Sequence, residues 1–97
     1  MRLLIRTSNF AQGGIGDVRL IVSPDWSVAE LIAEVRSRMP LPLQKLLNNT
    51  EQAGSTIFLT KQPNGPLILE KNALLRDCDV TDESELWLKA GHFRQAI

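Results

Sequence analysis

The stretch "WSVAELIAEVRSRMP" (26–40) carries the strongest local structural signal in the chain. Ser27 and Glu30 stand in the S-x-x-E order of a capping box, in which each side chain satisfies a backbone N–H of the other's residue at a helix start. Trp26 before the cap and Leu31 four positions after it have the spacing of a hydrophobic staple. Val28, Leu31, Ile32 and Val35 recur at i, i+3, i+4 and i+7 and form one apolar stripe. Arg36 and Arg38 suit the negative end of the helix dipole. The prolines of "MPLPL" end the pattern, because neither can donate a backbone hydrogen bond. The spacing predicts one amphipathic helix, starting at Ser27, with one face to bury.

The flanking segments alternate instead. In "MRLLIRT" (1–7), Met1, Leu3 and Ile5 share one face and Arg2, Leu4 and Arg6 the other, so the first Met already belongs to a strand. "SNFAQGGIGD" (8–17) is a Gly-rich connection to a second strand, "VRLIVSP" (18–24), with Val18, Leu20 and Val22 inward. "QKLLNNTEQAGS" (44–55) is polar apart from Leu46 and Leu47 and reads as a short helical turn followed by a loop. "TIFLTK" (56–61) and "PLILE" (66–70) read as strands joined by "QPNG", whose Asn64-Gly65 pair is a turn signal. "KNALLRDCDVTDES" (71–84) is an irregular crossing with isolated apolar anchors, and "ELWLK" (85–89) is the final strand. The order β-β-α-β-β-(turn)-β predicts an α+β domain, in which one helix packs across one face of a mixed sheet of four to five strands. Residues 1–90 form one domain on this reading, and 91–97 a flexible tail.

Composition bounds the function. The chain has 97 residues, 43% of them hydrophobic, with eleven basic and eleven acidic side chains balancing to zero. That is one domain's worth of core, and it lacks the basic excess that phosphate-backbone binding needs, so nucleic acid is not an expected partner. No apolar run approaches the roughly 20 residues that span a bilayer, and "MRLLIRTSNF" lacks the features of a signal peptide. Cys78 is the only cysteine, in keeping with a reducing compartment; the expected location is cytoplasmic or nuclear. His92 is the only histidine, so neither a His-based triad nor a multi-His metal site can be assembled. "GGIG" leads into a strand and not a helix N-terminus, so it reads as a hairpin tip and not a phosphate cradle. No catalytic residues, metal or cofactor are expected, and the chain does not read as an enzyme.

From 1 to about 89 these segments resemble ubiquitin. "MRLLIRT" is similar to its first strand, "VSPDWSVAEL" to its strand end and capped helix start, and "MPLPLQ" to its Pro-containing helix exit. Leu75, Val80, Leu86 and Leu88, with Asp77 and Ser84, keep the spacing of its buried anchors. The resemblance implies a ubiquitin-like β-grasp fold. The first hairpin loop, the segment after the helix and the hairpin after the third strand are all longer. The tail, "KAGHFRQAI", lacks the terminal Gly-Gly that a conjugated modifier requires, which implies a non-conjugated domain of a longer protein. Processing to a modifier is the third-ranked reading. In the family's recognition patch, the central third-strand aliphatic is matched by Phe58, the last-strand histidine by Trp87 and its aliphatic neighbour by Lys89. Leu4 matches the exposed aromatic of the first strand.

Strand alternation independently places Arg2, Leu4, Arg6, Arg19, Ile21, Thr56, Phe58, Glu85, Trp87 and Lys89 on the face away from the helix. An apolar band of Leu4, Trp87 and Phe58 flanked by arginines has the composition of an interaction hot spot. Leu4, Arg6, Phe58, Trp87 and Lys89 are therefore expected to bind a protein partner, an acidic and apolar segment. The alternative is a cross-strand packing role for Trp87, with Arg stems covering it. A second functional reading is self-association: Asp77, Asp79, Asp82 and Glu83, opposite Arg2 and Arg6, resemble the acidic and basic faces by which PB1-type β-grasp domains join head to tail.

Overall fold

The structure, a computed structural model, describes residues 1–7, 17–62 and 68–91. The first hairpin loop, the Asn64-Gly65 turn and the tail from His92 onward lie outside these residues. Strands β1 (Arg2–Arg6) and β2 (Val18–Ile21) pair antiparallel, helices α1 (Val28–Arg38) and α2 (Leu41–Gln52) follow, and β3 (Thr56–Thr60) and β4 (Ser84–Gly91) complete the sheet. The strand order is β2-β1-β4-β3, with β1 and β4 parallel and β3 antiparallel to β4. This is an α+β domain of β-grasp topology.

The capping box forms as its spacing predicts. Ser27 is the N-cap, its hydroxyl accepts from the Glu30 N–H at 3.1 Å, and the Glu30 carboxylate accepts from the Ser27 N–H at 3.5 Å. The stripe of Val28, Leu31, Ile32 and Val35 is buried against Leu3, Ile5, Leu20, Ile57, Leu59, Leu86 and Leu88 from the sheet. Trp26 is half-buried at the margin of this core, as a staple residue should be.

Three expectations are corrected. The segment read as a turn and loop is a 12-residue helix, α2. Pro40 and Pro42 end α1 but stand at the N-cap and first turn of α2, where a missing N–H costs nothing. Leu43 and Leu47, one turn apart, are buried beneath it, and both helices contact β3. Asn48, Asn49 and Thr50 are poor helix formers. Arg36 of α1 ties down this half of the helix: its guanidinium reaches Asn48 Oδ1 at 2.6 Å and Glu51 Oε1 at 2.5 Å. Second, the expected fourth strand is, among the described residues, an isolated bridge from Ile68 to Thr60, with the Leu69 N–H donating to Leu59 O at 2.9 Å. Third, the final strand, expected over 85–89, is β4 and runs on to Gly91, which pairs with Thr56.

The crossing from 69 to 83 is anchored on the start of α1. The N–H groups of Val28 and Ala29, which a helix start leaves without intrahelical partners, donate to Ala73 O at 3.0 Å and Lys71 O at 2.9 Å. Leu75 N–H returns a bond to Trp26 O at 2.9 Å, and Asp25 pairs with Arg76. Leu75 opens a 3-10 turn to Cys78, whose carbonyl end is closed by Lys61: its Nζ donates to Cys78 O at 2.9 Å and Asp79 O at 3.1 Å. Asp79 and Glu83 adopt positive φ angles of 56° and 66°, and the Glu83 N–H then reaches Arg2 O at 2.6 Å to start β4 beside β1.

Candidate functional site

Both helices lie on one face of the sheet, so the outward residues of the four strands form the other. The register fixes its rows. Arg19 stands beside Leu4 and Leu4 beside Glu85; Arg6 stands beside Trp87, Trp87 beside Thr60 and Thr60 beside Ile68; Lys89 stands beside Phe58. Ile57 and Leu59 are buried inward, at 1% and 0% exposure, which resolves the register at Phe58: it faces out. Leu4, Phe58, Trp87 and Lys89 are half-buried on this outer face.

Leu4, Trp87 and Phe58 occupy successive rows, so they lie on a diagonal of the sheet and not on a transverse band. Phe58 leans to the side of Gly91: a Cβ built there would stand 3.6 Å from the ring's Cε1. The ring thus covers a glycine that the strand exposes, a known remedy for glycine in a sheet. Alternation did not anticipate Ile68, which is 40% exposed and extends the row of Trp87 across the sheet, nor the burial of Thr60 between them at 1% exposure. The Thr60 hydroxyl is satisfied by Gln62 O at 2.8 Å. Outside this face, Leu41 and Leu46 of α2 are the other large exposed hydrophobics among the described residues, at 63% and 43%.

Two of the arginines that flank the apolar residues are paired with carboxylates of the same chain. Arg6 Nε lies 3.1 Å from Asp17 Oδ2 and Nη1 3.6 Å from Glu85 Oε2. Arg2 Nη2 lies 3.3 Å from Glu83 Oε1 and 3.6 Å from Asp82 Oδ2, and the Arg2 N–H donates to Asp82 Oδ1 at 2.7 Å. That backbone bond, with the Arg2 charge, holds the Asp82 carboxyl below its ordinary range. Of the residues considered for head-to-tail assembly, Arg2, Asp82 and Glu83 are thus brought together within one chain. Asp77 and Asp79 sit apart on the 3-10 turn, exposed.

A shallow groove opens on the outer face between β2 and the start of β4, lined by Arg2, Leu4, Arg19, Ile21, Glu83 and Glu85. Cys78 is half-buried, and burial together with the neighbouring Asp77 carboxylate raises its thiol pKa, which favours the inert form. Among the described residues, no group of acidic, His and Cys side chains could hold a metal ion, and no helix is long and apolar enough to cross a membrane. No family model matches this chain, and no curated protein is similar enough to be matched to it.

Proposed function

We propose that the chain is a non-conjugated ubiquitin-like domain that binds a protein partner through its outer sheet face. The observation that carries this reading is the diagonal of Leu4, Trp87 and Phe58, continued by Ile68, on the one face that neither helix covers. Large apolar side chains grouped on an otherwise charged face mark an interaction site, and tryptophan is the residue most enriched among binding anchors. Arg2 and Arg6 are matched by carboxylates of the same chain, so apolar contact supplies the affinity. Acidic groups of the partner add to it by competing with Asp17 and Glu85 for Arg6. Lys89, on the row of Phe58, borders the same surface. The inert environment of Cys78 supports a binding role over thiol catalysis.

The test compares the native domain with a Phe58→Ala/Trp87→Ala variant whose fold is verified by circular dichroism. Proteins captured by the native domain are identified, then titrated against both forms. Loss of a hot-spot pair weakens binding by about 30-fold or more, and amide shifts on titration should cluster at Leu4, Phe58, Ile68 and Trp87. Equal affinity for both forms refutes the assignment.

A further inference from the structure

Among the described residues, no strand covers the outer edge of β2. The Met1 amine donates to Val22 O at 2.9 Å and the Val22 N–H to Met1 O at 2.8 Å, so Met1 and Val22 are a hydrogen-bonded pair. Bonded and non-bonded pairs alternate along an antiparallel ladder. Leu3–Leu20 and Ile5–Val18 are therefore bonded pairs, and Arg2–Ile21 and Leu4–Arg19 are not. Arg2 bears this out: its N–H goes to Asp82 and its carbonyl accepts from Glu83, both on the β4 side. The N–H and C=O groups of Arg19 and Ile21 consequently point away from β1. Since β2 is an end strand, no described residue pairs with them. Ile21 beside them is 74% exposed, the highest value of the large exposed hydrophobics, and Arg19 makes no ion pair among the described residues.

We propose that two copies of the chain associate by antiparallel pairing of β2 with β2 about a two-fold axis at Leu20. Arg19 of each copy then faces Ile21 of the other, and each of these pairs exchanges both main-chain bonds, because the groups that face outward are the ones this register requires. The side chains agree with the backbone. Arg19 lies across from Ile21 and not from a second arginine, so its aliphatic stem covers the exposed isoleucine and no like charges are opposed. A chain of zero net charge adds no long-range repulsion. β2 carries no bulge, inward charge or proline, while its four-residue length limits the pairing to the main-chain bonds of Arg19 and Ile21.

Sedimentation equilibrium through the millimolar range tests this. The native chain should rise from 10.8 kDa toward twice that mass. Exchange of the Arg19 and Ile21 amides should slow with concentration, while that of Leu20, already bonded to Leu3, should not. Arg19→Pro removes an outward N–H and leaves the β1 ladder intact, and Ile21→Lys sets a cation against Arg19 of the second copy; both should hold the chain monomeric. Should Arg19→Pro fail to fold, Ile21→Lys decides alone. The Phe58→Ala/Trp87→Ala variant should still associate, which separates this surface from the outer face. A constant monomer mass for the native chain, or association that persists in folded Ile21→Lys, overturns the proposal.

Discussion

Replacing Leu47 by Ala tests the element that sequence reasoning placed least well. Leu47 is fully buried, whereas Leu46, its neighbour on α2, is 43% exposed. A buried Leu→Ala change loses the transfer free energy of the side chain and leaves a partly collapsed cavity, about 3 kcal/mol in all. Leu46→Ala removes a side chain already largely in water and should cost about 0.5 kcal/mol. A domain of this length has about 6 kcal/mol of stability, so the first change removes roughly half of it. In urea, with a slope of about 1 kcal/mol per molar, the midpoint should fall by about 3 M for Leu47→Ala and by less than about 1 M for Leu46→Ala, with the slope unchanged. Equal midpoints would mean that α2 is not docked through Leu43 and Leu47. The support of β3, and with it the placing of Phe58, would then need another explanation.

Two further changes probe the site's margins. Gly91→Ala should stabilise the domain by about 0.5 kcal/mol, because alanine is better than glycine within a strand and its Cβ meets the Phe58 ring at the ordinary contact distance of 3.6 Å; thermal melting that shows a loss would contradict the β4 boundary. The Asp82 carboxyl is held below its ordinary value of 3.8, so its contribution is in place above pH 3.8 and is lost as the pH falls toward the lowered folded value. The stability difference between native and Asp82→Asn chains, measured by urea titration, should therefore shrink below that pH, and a difference that grows on acidification would contradict the Arg2–Asp82 contact.

The strands and α1 were legible because their signals are local. The capping box and stripe at 27–35 specify their own helix, and alternation in 1–7 and 56–60 assigns each side chain a face. The parallel pairing of β1 with β4 was not legible, since no local pattern brings residues 3–6 to 84–87. The helix at 41–52 was not legible: its prolines read as breakers, and its Asn48 and Glu51 are held by Arg36 from another helix. Trp87 and Phe58 were correctly placed on the outer face. The internal neutralisation of Arg2 and Arg6 was not foreseen, because Asp82 and Glu83 reach Arg2 beside a backbone of positive φ at Glu83, and Asp17 meets Arg6 only in the tertiary fold.

The two proposed surfaces constrain one another through sheet geometry. A two-fold axis perpendicular to the sheet keeps the faces of both copies aligned, so β2 pairing joins two four-stranded sheets into one and leaves both outer faces pointing the same way. The diagonal of Leu4, Trp87 and Phe58 lies on β1, β4 and β3, away from the paired edge, and stays open in each copy. The groove lined by Arg19 and Ile21 is instead bridged by the joint. Such a pair would present two partner sites on one side, so that a partner with two binding segments would gain avidity without any new contact. Ile21→Lys should then weaken capture of a bivalent partner while leaving affinity for a single segment unchanged. If single-segment affinity fell as well, Ile21 would belong to the binding face itself, and the groove beside β2 would have to be counted as part of the partner's site.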